Sequence, residues 1–283
     1  MKVVKLLTAI SIALLCFSFV SCSEDDDNGG SPSLLVNGTT HAAIKQVFPN
    51  QRLDSISSHT DYGNIKIVYD GDYLVEYGEY YDTGKIHDGV YYRLRWNKND
   101  VDVYANNAET PFMKAVFGNN GFVKECLNAD GSIRHTFEYD TNGYLVRYNR
   151  DNASRYSTPD YWEMHWEDGN MVSATNYFFQ ETGNSRDGYC QYTFVYTNDE
   201  NKAGLRPGLR GYDWLHGVSD SEYMVALYYA GILGKGTKNL IESSSNKWDS
   251  GQSNWGYKYQ YVLNNGIVVS CSVGSDIDNY FYK

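Results

Sequence analysis

The sequence predicts an all-β protein: an antiparallel meander of about 10–14 strands, curled or barrel-like, with one short late helix. Three observations predict it. Asn-Gly or Asp-Gly steps punctuate the chain at Asp70-Gly71, Asp88-Gly89, Asn120-Gly121, Asp130-Gly131, Asn142-Gly143, Asp168-Gly169, Asp187-Gly188 and Asn265-Gly266. The runs between them alternate apolar and polar residues with a period of two, the mark of antiparallel strands covered on one side. Aromatic residues fill those runs, with 27 Tyr, 11 Phe and 6 Trp against only 5 Pro. Aromatic side chains favour strands, where they pair across the ladder.

The first 21 residues precede that domain and read as an export signal. Lys2 and Lys5 make a positive start, and Leu6 to Val20 form an apolar run. A spanning helix needs roughly 20 apolar residues, so this run has signal length rather than membrane-span length. It ends at Phe19-Val20-Ser21-Cys22, which resembles the lipobox of bacterial lipoproteins, with Phe19 in place of the usual Leu. The expectation is a lipid on Cys22 and a mature chain from residue 22. Ser23 to Pro32 then run through Glu24, Asp25, Asp26 and Asp27 into Gly and Ser. Such a stretch cannot bury apolar surface, so residues 22–38 read as an acidic flexible tether and 39–283 as one β domain. A Cys followed by Ser and an acidic run also resembles the surface-export signal of Bacteroidetes-type lipoproteins. That resemblance implies an outer-membrane protein, lipid-anchored and facing the cell exterior.

Along the β domain, pairs of positions separate onto two faces. Phe137 and Tyr139 oppose Thr136 and Glu138; Trp162, Met164 and Trp166 oppose Glu163, His165 and Glu167. Tyr192, Phe194 and Tyr196 oppose Gln191, Thr193 and Val195; Tyr257, Tyr259 and Tyr261 oppose Lys258 and Gln260. By the same rule Tyr144, Val146 and Tyr148 oppose Leu145 and Arg147. Asn or Asp followed by Gly predicts two-residue type I′ turns, where both central residues need positive φ. The turns also form a loose repeat of aromatic, turn and aliphatic residue: Phe117 to Val123, Tyr139 to Leu145, Trp166 to Met171 and Tyr261 to Ile267. TFEYDTNGYLVRY resembles the YD repeats of secreted β-rich proteins.

One segment departs from period two. Ser219 and Glu222 have capping-box spacing, Met224, Leu227, Tyr228 and Ile232 recur at helical spacing, and Gly234 and Gly236 supply a stop. This predicts a helix of about 12–14 residues, placed over an edge or closing one end of the sheet. The anchor, the YDTNGYL hairpins and YYAGILGKGTKNLI together resemble an uncharacterised lipoprotein family, described as a domain of unknown function with a porin-like fold. The resemblance covers roughly residues 40–283. It implies a curled or barrel-like antiparallel sheet and carries no catalytic residues.

Composition excludes several functions. The net charge is −11, and loss of Lys2 and Lys5 with the signal makes the mature chain more acidic still. Nucleic acid needs a basic footprint, so it is not expected as a partner. Of the five cysteines, Cys126, Cys190 and Cys271 remain in the β domain, an odd number without CxxC spacing. They read as buried small side chains, with one disulfide open. The six histidines have no metal-ligand spacing, and no GxSxG, P-loop or GxGxxG occurs. No cofactor and no metal are expected, and the sequence leans against an enzyme. Glu163, His165 and Glu167 share a strand face and Asp100 and Asp102 lie close, but both sets read first as solvated faces. A membrane-spanning barrel also alternates with period two. Tyr-rich apolar faces and a separate anchor favour the water-exposed reading.

The best ligand candidates are Trp214, Trp248 and Trp255, which lie in or beside Gly-rich segments. A flat indole stacks on the apolar face of a pyranose, and loops concentrate binding groups. Two partner classes follow: a glycan or other extracellular ligand, or another envelope protein to which this one is docked as a subunit. The membrane itself is the third partner, reached through the lipid anchor.

Overall fold

Where both residues are described, the Asn/Asp-Gly steps become turns; Asp88 and Asp187 lie outside the described residues, and at Asp70-Gly71 only the glycine has positive φ, 56°. At Asp168-Gly169 and Asn265-Gly266 both residues have positive φ (49° and 85°, 52° and 77°), as a type I′ turn requires. At Asn120-Gly121, Asp130-Gly131 and Asn142-Gly143 only the glycine does. There the glycine N–H returns to the carbonyl of Gly118, Asn128 and Asp140 respectively. The uniform type I′ expectation is therefore corrected at these three and at Asp70-Gly71. Asx side chains explain the longer loop: Asp140 Oδ1 accepts the N–H of Asn142 (2.9 Å) and Tyr144 (2.8 Å) and holds the turn open by two further residues.

The computed structural model describes residues 36–48, 51–58, 64–80, 89–150, 160–178, 188–205, 222–249 and 256–283. Its strands are β1 (Leu53–Ser58), β2 (Asn64–Asp70), β3 (Tyr73–Tyr80), β4 (Tyr91–Trp96), β5 (Asp100–Ala105), β6 (Met113–Phe117), β7 (Val123–Asn128), β8 (Ile133–Tyr139) and β9 (Leu145–Arg150). They continue as β10 (Asp160–Glu167), β11 (Asn170–Phe178), β12 (Gly188–Glu200), β13 (Asn239–Trp248), β14 (Gly256–Lys258), β15 (Gln260–Asn264), β16 (Ile267–Val273) and β17 (Asp276–Tyr282). Each strand pairs antiparallel with its sequence neighbour, and β14 runs on into β15 through Tyr259. β1 pairs with β2 on one side and β17 on the other, so the ladder returns to its start and closes a barrel. Closure removes the free edges that an open sheet would expose. The predicted all-β meander is the observed fold. The 17 strand segments exceed the expected 10–14 because several hairpins lack an Asn-Gly or Asp-Gly marker, the turn at Asn97–Asn99 among them.

The chain enters and leaves at one end, here called the base. The turns β2–β3, β4–β5, β6–β7, β8–β9 and β10–β11 lie there; the opposite end is the rim. Helix α1 (Gly38–Val47) crosses the base, an element the sequence reading did not assign. Asn37 caps it by accepting the Thr40 N–H at 2.9 Å, and Thr40, Ala43, Ile44 and Val47 make its buried stripe. The helix lies so close to the β6–β7 turn that a Cβ on Gly121 would stand 2.6 Å from the Thr39 carbonyl oxygen.

A bulge recurs at the base end of six strand pairs. Tyr69 faces Leu74, Phe117 faces Val123, Tyr139 faces Leu145, Trp166 faces Met171, Tyr196 faces Ile241 and Leu263 faces Val268. In each case the residue after the aliphatic one is extra in the ladder. A bulge interrupts the ladder locally and leaves a carbonyl in need of a donor. For five of these six carbonyls an aromatic residue of a nearby strand supplies it, and a sixth such bond serves Leu53, at the irregularity between β1 and β17. Trp96 Nε1 donates to Leu74 O (2.7 Å), Tyr139 Oη to Val123 O (2.8 Å) and Trp166 Nε1 to Leu145 O (2.8 Å). Tyr196 Oη reaches Met171 O (2.7 Å), Tyr282 Oη reaches Val268 O (2.7 Å) and Tyr69 Oη reaches Leu53 O (3.1 Å). The loose aromatic–turn–aliphatic repeat is this stitching. Its fourth example is displaced, since Leu263 and Val268 occupy the places read as Tyr261 and Ile267. The bulge also corrects one face assignment: Leu145 and Tyr148 are both buried, with Val146 the extra residue between them.

Candidate functional site: a plugged lumen and its rim

The connection from β12 to β13 turns back into the barrel. Helix α2 (Glu222–Tyr229) lies in it, and every residue from Tyr223 to Leu233 is buried. A helix that is apolar all round belongs inside a core. The expectation of an amphipathic helix covering an edge is therefore corrected, and so is its length. Gly231, at φ 78°, ends it with bonds from Gly231 N to Tyr228 O and from Ile232 N to Leu227 O, a Schellman stop before the predicted Gly234. Ser219 lies outside the described residues. After the stop the chain runs along the base: Ile232 O accepts from Val123 N, and the N–H groups of Lys235 and Lys238 donate to Gly143 O and Gly169 O.

A polar clamp ties this plug to the wall. Tyr223 on α2 hydrogen-bonds Nε2 of His135 on β8, whose Nδ1 meets Tyr148 Oη on β9 at 3.0 Å. His135 is fully buried, and Tyr223 packs edge-on against Tyr92 and Phe112. Burial, reinforced by Arg134 and Arg150, pushes the imidazole down to about 3, so it is neutral at physiological pH. A neutral imidazole has one donor and one acceptor, and two hydroxyls satisfy both. Period-two alternation puts His135 on the face of Phe137 and Tyr139; that parity was the available signal for its role.

The outer wall is polar. Residues alternating with the core, such as Lys66, Arg95, Lys114, Glu138, Arg147 and Glu163, all reach solvent. Arg95 pairs with Asp102 at 2.7 Å, Lys114 with Asp100 at 3.4 Å and Arg147 with Glu163 at 3.3 Å. A lipid-facing barrel needs an apolar outer band. This wall presents charge outward and an apolar, filled interior inward.

The sequence-derived sites distribute as follows. Cys22, Trp214 and Trp255 lie outside the described residues. Trp248 is the last residue of β13 rather than part of a loop; it is half-buried on the lumenal face at the rim, opposite Cys190. Asn246, one step below, reaches Cys190 Sγ at 3.6 Å. Trp162 is core, and half-buried Trp166 stacks on Tyr144 at 4.5 Å. Cys126, Cys190 and Cys271 are buried and free, with burial raising all three thiols, Cys271 to about 12. His165 meets Glu167 at 3.1 Å on the outer wall while Glu163 turns to Arg147. Asp102 is held by Arg95, Asn97 and Lys114. Among the described residues no group of three His, Cys, Asp or Glu side chains converges as metal ligands.

The match to known proteins follows this architecture. Residues 100–270 match the family described as "Domain of unknown function (DUF4595) with porin-like fold". The chain belongs to this family. Two crystal structures share its fold, each titled a porin-like protein. One, from Bacteroides uniformis ATCC 8492, has a TM-score of 0.59 at 14% identity and covers 84% of this chain and 99% of its own. The other, from Bacteroides vulgatus ATCC 8482, has a TM-score of 0.56 at 14% identity and covers 83% and 99%. No curated protein matches the chain. For this member the porin-like description applies to the strand ring and not to an open channel, because α2 and the side chains around it occupy the lumen.

Proposed function

We propose that this member of the porin-like DUF4595 family is a lipid-anchored outer-membrane protein that faces the cell exterior and binds a glycan or another extracellular ligand. The observation that carries the reading is the polar outer wall around a plugged lumen. Such a wall does not settle in hydrocarbon, where an outward charge costs about 2–4 kcal/mol at mid-depth. A barrel of this kind held at a membrane needs a separate anchor, and Cys22 at the end of a signal-length run supplies one. The tether joins the barrel at its base, the end opposite the rim. Rim-side aromatics support the ligand role. Trp248 stands on the inner lip, and Tyr161, Tyr177 and Tyr189 are cross-strand partners outside it, with Tyr189 40% exposed. Labelling cells with radioactive palmitate tests the anchor. Wild type is expected to take up label and Cys22→Ser to take up none; equal labelling of both would refute it. A glycan array with the processed Cys22→Ser chain tests the ligand.

A second reading has its own observation. The outer face from β12 to β17 is poor in charge and rich in Ser and Thr, and Val195, Val262 and Phe281 are each more than half exposed there. That face suits a docked envelope protein. Crosslinking in cells should then recover one stable partner, and a monomer without partners would remove this reading.

A further inference from the structure

The outer wall carries a groove of about 440 Å³ over β3, β4 and β5, walled on the rim side by residues 107–109. That volume falls in the range of small-ligand sites, about 300–1,000 Å³. Arg93, Arg95, Tyr104, Asn107, Glu76 and Glu109 line it. Both guanidinium groups lie over the Tyr104 ring, at 5.1 and 5.5 Å. Each is fixed through the same two nitrogens. Arg93 donates Nε to Asn106 O (3.1 Å) and Nη2 to Ala108 O. Arg95 donates Nε (3.2 Å) and Nη2 (2.7 Å) to Asp102 Oδ2. Asp102 is itself buried at 3% exposure. Burial alone would raise its carboxyl; hydrogen bonds from Arg95, Asn97 and Lys114 outweigh that and hold it below the usual range.

Two arginines are thus locked side by side, and among the described residues neither Nη1 has a protein partner. Arg93 makes no ion pair among the described residues, although Glu76, its cross-strand partner, lines the same groove. Tyr104 Oη also has no hydrogen-bond partner among the described residues. Asn107 accepts from Tyr91 Oη through its Oδ1, and its amide N–H₂ donates to no group among the described residues. Locked guanidinium groups lose little side-chain freedom on binding, and their planar donors match a carboxylate. Glu76 and Glu109 disfavour a dianion such as phosphate but accept hydrogen bonds from hydroxyls. The groove is open rather than enclosed and carries charged side chains of both signs, which disfavours a fatty acid.

We infer that this groove binds a carboxylate-bearing sugar, a uronate unit of an acidic glycan. The carboxylate takes the two Nη1 donors, and ring hydroxyls meet Asn107, Tyr104 Oη and the two glutamates. The inference rests on the extracellular-ligand reading above and names its chemistry and place.

Isothermal titration of the processed Cys22→Ser chain with an oligogalacturonate tests it, beside its methyl ester, a panel of neutral oligosaccharides and inorganic phosphate. Expected is binding of the oligouronate, weakened at least tenfold by esterification and at least tenfold by Arg93→Gln. Arg93→Lys keeps the charge but loses the planar fork, and should recover only part of the affinity. An unchanged melting temperature in Arg93→Gln shows that the fold is intact. Oligouronate binding unaffected by Arg93→Gln would overturn the site. Neutral glycans bound and uronate ignored would overturn the ligand class while leaving the binding role standing. Phosphate bound as tightly as the oligouronate would overturn the carboxylate assignment. No binding in any arm would overturn this inference and the glycan form of the ligand reading alike.

Discussion

At the base, five aromatic side chains each reach across to the carbonyl of a neighbouring hairpin's bulge, a sixth reaches Leu53 where β1 meets β17, and α1 crosses the same end. At the rim no such series of bonds recurs among the described residues. There the connections that are described carry local contacts only, such as Tyr91 Oη on Asn107. Closing a barrel demands bends, and bends cost ladder bonds; at five of the six bulges the base recovers a bond with a side chain. The plug joins the two ends, entering from the base and clamped at His135 nearer the rim.

The largest expected effect comes from breaking the plug. Tyr223→Ala removes a buried ring and leaves His135 short of a partner. It should cost about 5 kcal/mol, the sum of a large-to-small aromatic loss and an unsatisfied polar group. Urea unfolding measures it, and a cost under about 1 kcal/mol would show that the plug contributes little to the fold.

Acid should act through the same clamp. The unfolded chain protonates His135 near 6.5, the ordinary histidine value, whereas the folded chain resists until about 3. Neutral His135 is therefore compatible with full stability above pH 6.5, and stability falls as pH drops from there towards 3. At about 1.4 kcal/mol per pH unit the loss approaches about 5 kcal/mol at the acid end. Several carboxylates, Asp54, Asp72 and Asp102, lose their ion pairs as well in acid. Comparing wild type with His135→Gln isolates the histidine: the variant's stability should depend less steeply on pH between 6.5 and 4. Parallel curves would contradict the clamp.

The base should show smaller, repeated effects. Tyr139→Phe and Tyr196→Phe each strip one donor from a bulge carbonyl and should cost about 1–2 kcal/mol apiece. Phe117, whose ring has no donor, is the internal control: Phe117→Leu should alter packing only, with no carbonyl left unpaired. The smallest effect is expected on the outer wall, where His165→Ala should change stability by less than about 0.5 kcal/mol. Chelators should leave the melting temperature of that variant and of wild type equally unmoved.

Much of this was legible in the sequence, and the gaps have physical causes. Alternation placed Phe137, Trp162, Phe194 and Tyr259 inward, and the structure buries all four. It failed at Leu145 because a bulge shifts parity by one, and no composition rule announces which hairpin carries an extra residue. The aromatic–turn–aliphatic repeat was visible, but its purpose needed the ring closed so that one hairpin could reach the next. Helix α1 has a readable stripe at Thr40, Ala43, Ile44 and Val47, hidden by its position against a long polar leader. The Arg93–Arg95–Tyr104 groove depends on the turn at 106–109 folding outward over β4, which is a tertiary fact. Trp248 shows the converse: Gly-rich surroundings suggested a loop, whereas the strand continues through it.

A water-facing, plugged barrel can be tested against a membrane pore in one experiment. The processed Cys22→Ser chain, expressed without its lipid, is purified without detergent and then added to planar bilayers. Polar outer walls and a filled lumen predict a monodisperse protein in buffer and no conductance steps. A chain that stays in solution only with detergent, or that opens stepwise currents across the bilayer, would contradict them.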